Sequence, residues 1–306
     1  MMARAWKSAG NSAIDKGIQL PGAQFAARAS ERRLPGILAF MSFDPLAVSL
    51  PLSFLAWLVH MVAFHGVGLV FEWCDRTHRL ARFKVRDLDR MSYRQLLPRV
   101  LFNQTAILLP AMLATEYFGL AFVGSPELSL AAGVMWFAGM GLGHDVVQYA
   151  SHRLMHHPAL MRLLGHSLHH TTGASKAISA CYQSAPDFFL EITLPYLLPL
   201  ALVGAGSNVL FHLVVPCLGA FGGLYEHSGY DFGVAFRDPA KTGWRRRLHA
   251  ALAHLTSSIA HGNHHTRGNV SFSDGFGSPG LCDTIFRTRW DLVPERVRRR
   301  TRESAV

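Results

Sequence analysis

Charge is what this 306-residue chain has least of: 16% of its residues are Asp, Glu, Lys or Arg, against 50% hydrophobic. Lysine and arginine are missing altogether from 46–70, 101–149 and 188–225. All 30 fall in 1–45, 71–100, 150–187 and 226–306, split 6, 8, 3 and 13. Segregation this clean argues against a soluble surface and is how an integral membrane protein distributes charge. Cysteine is scarce as well. The four (Cys74, Cys181, Cys217, Cys282) show no paired or C-x2-C spacing, which excludes a disulfide scaffold and a thiolate metal site. No haem-attachment motif, flavin fingerprint or iron–sulfur cysteine set is present, so the chain carries no such redox cofactor of its own. The first 45 residues also lack the short apolar core and small-residue site of a cleaved signal peptide.

The charge-free stretches predict an all-α membrane protein with about four transmembrane helices or half-spanning hairpins, topped by a cytoplasmic helical cap. Residues 46–70 are long enough for about 30 Å of hydrocarbon, interrupted by Pro51, His60 and His65. A second span is 101–123, carrying Pro110 and Glu116, and a third runs from Leu128 to about His144. Segment 188–225 breaks at Gly204–Asn208 into halves of 16 and 17 residues, which reads as a tight hairpin. A basic N-terminal segment (1–45) precedes one membrane-embedded domain (46–306), with its histidine-motif core at about 128–290. Basic loops at 71–100 and in the C-terminal tail set these on the cytoplasmic side. The six basic residues of 1–45 conflict with a single crossing at 46–70. The net charge of +10 and pI near 9.9 fit juxtamembrane attraction to anionic lipid, and no nucleic-acid partner is expected.

What is abundant is histidine in clusters. His152-Arg-Leu-Met-His156 is an H-x3-H motif, while His166-Ser-Leu-His169-His170 and His261-Gly-Asn-His264-His265 are both H-x2-HH. His227 stands between them in Tyr225-Glu226-His227-Ser228-Gly229-Tyr230-Asp231-Phe232. Neutral imidazole is a transition-metal ligand, and nine clustered imidazoles are enough for two ions. In H-x2-HH the first and fourth positions share a helix face while the fifth points about 100° away from the fourth, so one motif can serve two metals. An all-nitrogen set permits zinc, copper, iron or nickel. His144 is a candidate tenth ligand. Asp145, Glu191, Glu226 and Asp231 are candidate outer acceptors that fix histidine tautomers. His60, His65, His78, His212, His249 and His254 are expected to be packed or interfacial.

The order H-x3-H, H-x2-HH, lone His, H-x2-HH, with apolar spans ahead, resembles the fatty acid hydroxylase / sterol desaturase superfamily of membrane di-iron oxygenases. Asp145-Val-Val-Gln-Tyr149-Ala-Ser-His152-Arg153-Leu-Met-His156 looks like its Asp-x3-Tyr-x2-His-Arg-x2-His signature. Gly268-Asn269 and Asp283-Thr-Ile-Phe286-Arg-Thr288 look like its closing segment. His227-Ser-Gly229-Tyr230-Asp231-Phe232, Phe83-Lys84-Val85-Arg86 and Val100-Leu-Phe102-Asn103-Gln104 resemble the 4-methyl sterol oxidase branch. Departures are Cys282-Asp283 for Trp-Asp, Arg287 for Gly, Ser151 for an aromatic and a glycine-rich loop at 268–280. The resemblance implies two iron ions held by the nine histidines. It also implies O2-dependent hydroxylation, or alternatively desaturation, of a sterol-like, isoprenoid-like or fatty-acyl lipid. Electrons would come from a cytochrome b5-like protein or a ferredoxin and its reductase. Two other classes compete. A metal transporter needs ionisable ligands inside the spans, and a surface zinc hydrolase needs about three ligands.

Overall fold

The computed structural model describes residues 50–293, apart from Asp89, residues 238–241 and Gly277. The expected basic segment 1–45, the start of the expected first span (46–49) and the run 298–300 lie outside the described residues. Among the described residues the chain is helical throughout, with one isolated antiparallel bridge between Lys84 and Tyr230. In chain order the helices are α1 (Leu52–Arg76), α2 (Tyr93–Tyr117), α3 (Leu130–Met155), α4 (Pro158–Leu163) and α5 (His166–His170). They continue with α6 (Ala185–Val203), α7 (Val209–His227), α8 (Gly243–Leu255), α9 (Ile259–Arg267) and α10 (Leu281–Ile285).

Five of these, α1, α2, α3, α6 and α7, are long and apolar enough to cross a membrane, one more than the expected count of about four. The difference lies at the hairpin. α6 and α7 have 19 residues each, because the helices run on through Asp187 at one end and Glu226-His227 at the other. At 1.5 Å per residue each is about 28 Å long, close to the hydrocarbon thickness. Hydropathy truncates such helices because their polar ends belong to the site rather than to the lipid. The outward surface matches this reading: Val62, Met135 and Leu202 are 69%, 72% and 76% exposed on the spans. Apolar surface of that extent is stable in lipid and not in water. The chain is an integral membrane protein.

Two wide helical turns, Gln104–Leu108 in α2 and Phe189–Thr193 in α6, give the bundle its polar interior. Each ends two residues before a proline, Pro110 and Pro195. A proline ring collides with the carbonyl four residues back, here on Ala106 and Glu191, and widening the turn relieves the collision. In the widened turn of α2 the Gln104 carbonyl accepts from Leu109 N and also from Trp57 Nε1 (2.8 Å). The Gln104 side chain meets His60 Nε2 (3.3 Å) and His65 Nε2 (2.9 Å). The turn in α6 carries Glu191, buried beside the histidines.

Glu116, an apparent flaw in the second span, is a cap. α1 begins after Pro51, whose side chain cannot satisfy the first N–H groups. The Glu116 carboxylate accepts from Leu52 N (3.1 Å) and Ser53 N (2.9 Å) instead, and its charge complements the helix N-terminus. Glu116→Ala is expected to cost about 1–3 kcal/mol. This would be read as a lower melting temperature in detergent, with bound metal per chain unchanged.

Candidate metal centre

α3 runs out of the apolar layer into His152 and His156, and α5 follows after the short α4. α7 ends at His227, and α9 carries the last cluster. The nine histidines separate into two sets. His152, His156, His166, His170 and His264 form one, with His169, His227, His261 and His265 forming the other. Within each set one nitrogen per ring lies within 4.8 Å of all the others. On both H-x2-HH helices it is the first and fifth positions that share a set, and the fourth joins the other set. The sequence expectation paired the first with the fourth. An i,i+4 pair is offset by only about 40° around a helix, against about 60° for i,i+3, and here the closer alignment wins. α5 therefore gives two rings to the first set and one to the second, and α9 does the reverse.

The ring nitrogens suit a cation. In the first set, Nε2–Nε2 separations are 3.2 Å (His156–His264), 3.1 Å (His156–His166), 3.0 Å (His166–His170) and 3.3 Å (His170–His264). In the second they are 3.1 Å (His169–His227), 2.9 Å (His227–His261) and 3.1 Å (His261–His265). Outward nitrogens are held by acceptors. His152 Nδ1 faces the Phe272 carbonyl (2.7 Å), His166 Nδ1 Asp187 (2.9 Å), His227 Nδ1 the Gly223 carbonyl (2.9 Å) and His264 Nδ1 the Val270 carbonyl (2.8 Å). A proton on those Nδ1 atoms leaves Nε2 as an inward lone pair. His152 Nε2 is buried with no hydrogen-bond partner. Converging lone pairs with an orphan among them are a donor set for a metal ion, and no thiolate takes part.

Protons are poor substitutes for that ion. Burial, reinforced by neighbouring imidazoles, pushes His156, His169, His170, His261, His264 and His265 below the ordinary histidine value of 6.5. These groups are neutral at pH 7, the form a metal requires. An unfolded chain takes up protons at these positions first as pH falls. Their favourable contribution is therefore complete above about pH 6.5 and lost progressively below it.

The acidic residues divide differently from the expectation. Asp187 was not foreseen, yet it holds His166; its only sequence signal is a place in the first turn of α6 after the capping Ser184. Glu191 Oε1 is 3.5 Å from His152 Nε2 and its Oε2 is 3.6 Å from His166 Nδ1. Gln183 donates to the same carboxylate at 2.6 Å. Glu226 Oε2 lies 3.9 Å from His261 Nδ1. Asp145 and Asp231 make no direct contact with the nine histidines. Asp231 caps Gly233 N (3.0 Å) and pairs with Arg237. Asp145 accepts from Ser273 Oγ (2.9 Å) and Cys282 N (3.0 Å), so it fixes the loop that carries the Phe272 and Val270 carbonyls. Asp283 fastens that loop too, through Phe272 N (3.0 Å), Ser273 N (2.6 Å) and Asp274 N (2.9 Å). His144 joins neither set: eight residues before His152, it sits about 12 Å back along α3.

A second support is the Phe83–Arg86 strap. Phe83 O accepts from Asp231 N (2.7 Å), and Val85 N donates to Gly229 O (2.9 Å). Two segments that look unrelated in sequence are thus one unit. Gly229 has φ +76°, and a Cβ there would meet the Arg86 carbonyl at 2.1 Å. The Arg86 side chain donates to Ala174 O (2.6 Å) and Glu226 O (3.0 Å). It passes so close to Gly262 that a Cβ would lie 1.5 Å from its guanidinium. Burial lowers the Arg86 pKa to about 10, still charged at neutral pH.

A cavity of about 380 Å³ opens beside the centre, walled by α1, α2, α3, α6, α7 and the 272–278 loop. It reaches His169, His227 and His261, all from the four-histidine set. His60, expected to be a bystander, also lines it. Helical periodicity had no means of showing this, since the cavity is enclosed by elements far apart in the chain.

Fold and site together define an integral membrane protein whose buried histidines can hold metal. Residues 137–288 match the family model for fatty acid hydroxylase. Fatty acid hydroxylase ahd1 of Mycosarcoma maydis is 24% identical over 233 residues, covering 73% of this chain and 53% of that protein. Fatty acid hydroxylase domain-containing protein 2 of Macaca fascicularis is 28% identical over 142 residues, covering 44% and 42%. The chain spans about half the length of these curated relatives. No solved structure matches. The chain carries a fatty acid hydroxylase domain and belongs to the fatty acid hydroxylase superfamily. Nothing in these matches singles out the 4-methyl sterol oxidase branch.

Asp187→Asn and Asp283→Asn are each expected to weaken metal retention by about 10- to 100-fold while the protein still inserts. Chelator titration followed by elemental analysis measures this. Acidification from pH 7 to 5 should release metal and lower the melting temperature, and a rise in either on acidification would contradict the sign derived above.

Proposed function

We propose that this protein is an iron- and O2-dependent oxidoreductase that hydroxylates an unactivated C–H bond of a lipid. The carrying observation is the pairing of two buried histidine sets with an apolar cavity between membrane-spanning helices. His152, His156, His166, His170 and His264 would hold one iron, and His169, His227, His261 and His265 the other. Bound iron supplies activation of O2 and removal of hydrogen from carbon, chemistry that side chains cannot perform.

The chain's own residues do the rest. Asp187 and the carbonyls of Phe272, Val270 and Gly223 keep the lone pairs of four rings turned inward. The cavity touches only the four-histidine set, so the smaller ligand set faces the substrate. Phe64, Met112, Met140 and Ile192 in its walls exclude water and align an apolar chain or ring system. The family name supports hydroxylation over desaturation. A transporter finds no support, because both sets gather at one end of the spans and, among the described residues, no further histidine cluster lies along them. The positive charge around the strap and α8 supports a cytoplasmic histidine face. An external donor, cytochrome b5-like or a ferredoxin with its reductase, would supply electrons there.

Purified protein should contain about two iron ions per chain. His169→Ala should lose about one of them and all turnover while still inserting in the membrane. Elemental analysis giving zero or one ion for the wild type would sink the two-iron reading. In a host fed sterols, fatty acids and isoprenoids under 18O2, mass spectrometry should find one labelled oxygen in a lipid product. Turnover without O2 would remove the oxygenase class.

A further inference from the structure

The cavity wall between α3 and α7 is incomplete. Phe137 and Leu218 line the cavity, yet they are 40% and 57% exposed. His144 and Gly219 likewise line it and are exposed. A residue that belongs to both an interior cavity and the outer surface sits at an opening. α3 and α7 run in the same direction toward the histidines and touch where Phe211 meets Trp136 and Phe137, with ring centroids 5.4 and 5.0 Å apart.

The glycines along these helices mark the gap. On α3, Gly139 and Gly143 pack on α6: a Cβ would meet Val203 and Pro199, each at 2.7 Å. Gly141 lies between them on another face, and a Cβ there meets nothing within 4 Å. Gly219 on α7 is open in the same way. Gly219 and His144 each stand eight residues before a histidine of the centre, about 12 Å along the helix axis. The opening is therefore inside the span, at the depth of lipid chains rather than of the aqueous interface.

We propose that the cleft between α3 and α7, rimmed by Phe137, Gly141, His144, Leu218 and Gly219, is a lateral portal. Through it a lipid dissolved in the bilayer enters the cavity sideways. This deepens the oxygenase reading by naming the substrate class: a membrane-resident lipid, not an acyl group delivered from water on a soluble carrier. An apolar chain crossing here stays in an apolar medium throughout, and His144 is the one imidazole of the rim available to a polar group on it.

The test uses the full chain in proteoliposomes with a diazirine-bearing palmitate. Mass spectrometry reads cross-links on the buried lining residues Met112 and Met140. Gly141→Leu and Gly219→Leu together put side chains into the gap, at positions where an added Cβ meets nothing within 4 Å. Gly66→Leu is the control, a span glycine with equal open space that does not line the cavity. Labelling at Met112 and Met140 should fall by about tenfold or more in the double variant and stay at the wild-type level in Gly66→Leu, with metal content and melting temperature unchanged in both. Equal labelling in the double variant and the wild type would overturn the portal. So would labelling of these methionines only by a water-soluble acyl thioester probe. If labelling falls as described but no lipid is turned over by the wild type, the portal stands and the oxygenase reading is what fails.

Discussion

Nine imidazoles are held with their lone pairs facing one another in a space that excludes water, and the rest of this structure serves that constraint. Each buried nitrogen left without a partner costs about 1–3 kcal/mol, and protonation is opposed by burial and by the neighbouring rings. A metal cation resolves both problems at once, since it accepts every lone pair without adding a bound proton. The supporting parts are built to keep the rings aimed inward. They are the 268–283 loop tied down by Asp145 and Asp283, the Phe83–Arg86 strap threaded past Gly262, and Asp187 at the start of α6.

The membrane and the site solve each other's difficulties. A polar group inside the apolar layer needs a local partner, and the charged and amide groups of the wide turns and the cap find one: Glu116 caps α1, Gln104 meets His60 and His65, and Glu191 is held by Gln183 and lies against His152 and His166. The wide turns that bring Gln104 and Glu191 inward follow from Pro110 and Pro195. Prolines that look like interruptions of a hydrophobic run are thus what give the bundle a polar interior. The same helices leave an apolar cavity that ends on the four-histidine set, which joins a lipid environment to a metal environment within one small domain.

Much of this was legible in the amino-acid order alone. Charge gaps revealed the spans, and clustered histidines with repeated spacing pointed to a site that could hold metal. Both signals are local, because a helix repeats every 3.6 residues and a bilayer demands a run of apolar residues. Polar helix ends were misread for the same reason: Asp187 and His227 look like loop residues until the site that uses them is known. The role assigned to Asp145 also failed. It lies on the right face of α3, but its partners arrive from residues 273–282, and no local pattern predicts which loop folds back.

The sequence by itself determined that this is a helical membrane protein with nine clustered histidines suited to holding metal, since composition and spacing leave little else that is stable. Only the tertiary structure decided how those nine divide into five and four, which carbonyls and carboxylates turn them inward, and where the cavity meets them. The physical reason is distance along the chain. Those contacts join α3 to the 270s and the 80s to the 220s, and such pairings are set by packing rather than by any period in the sequence.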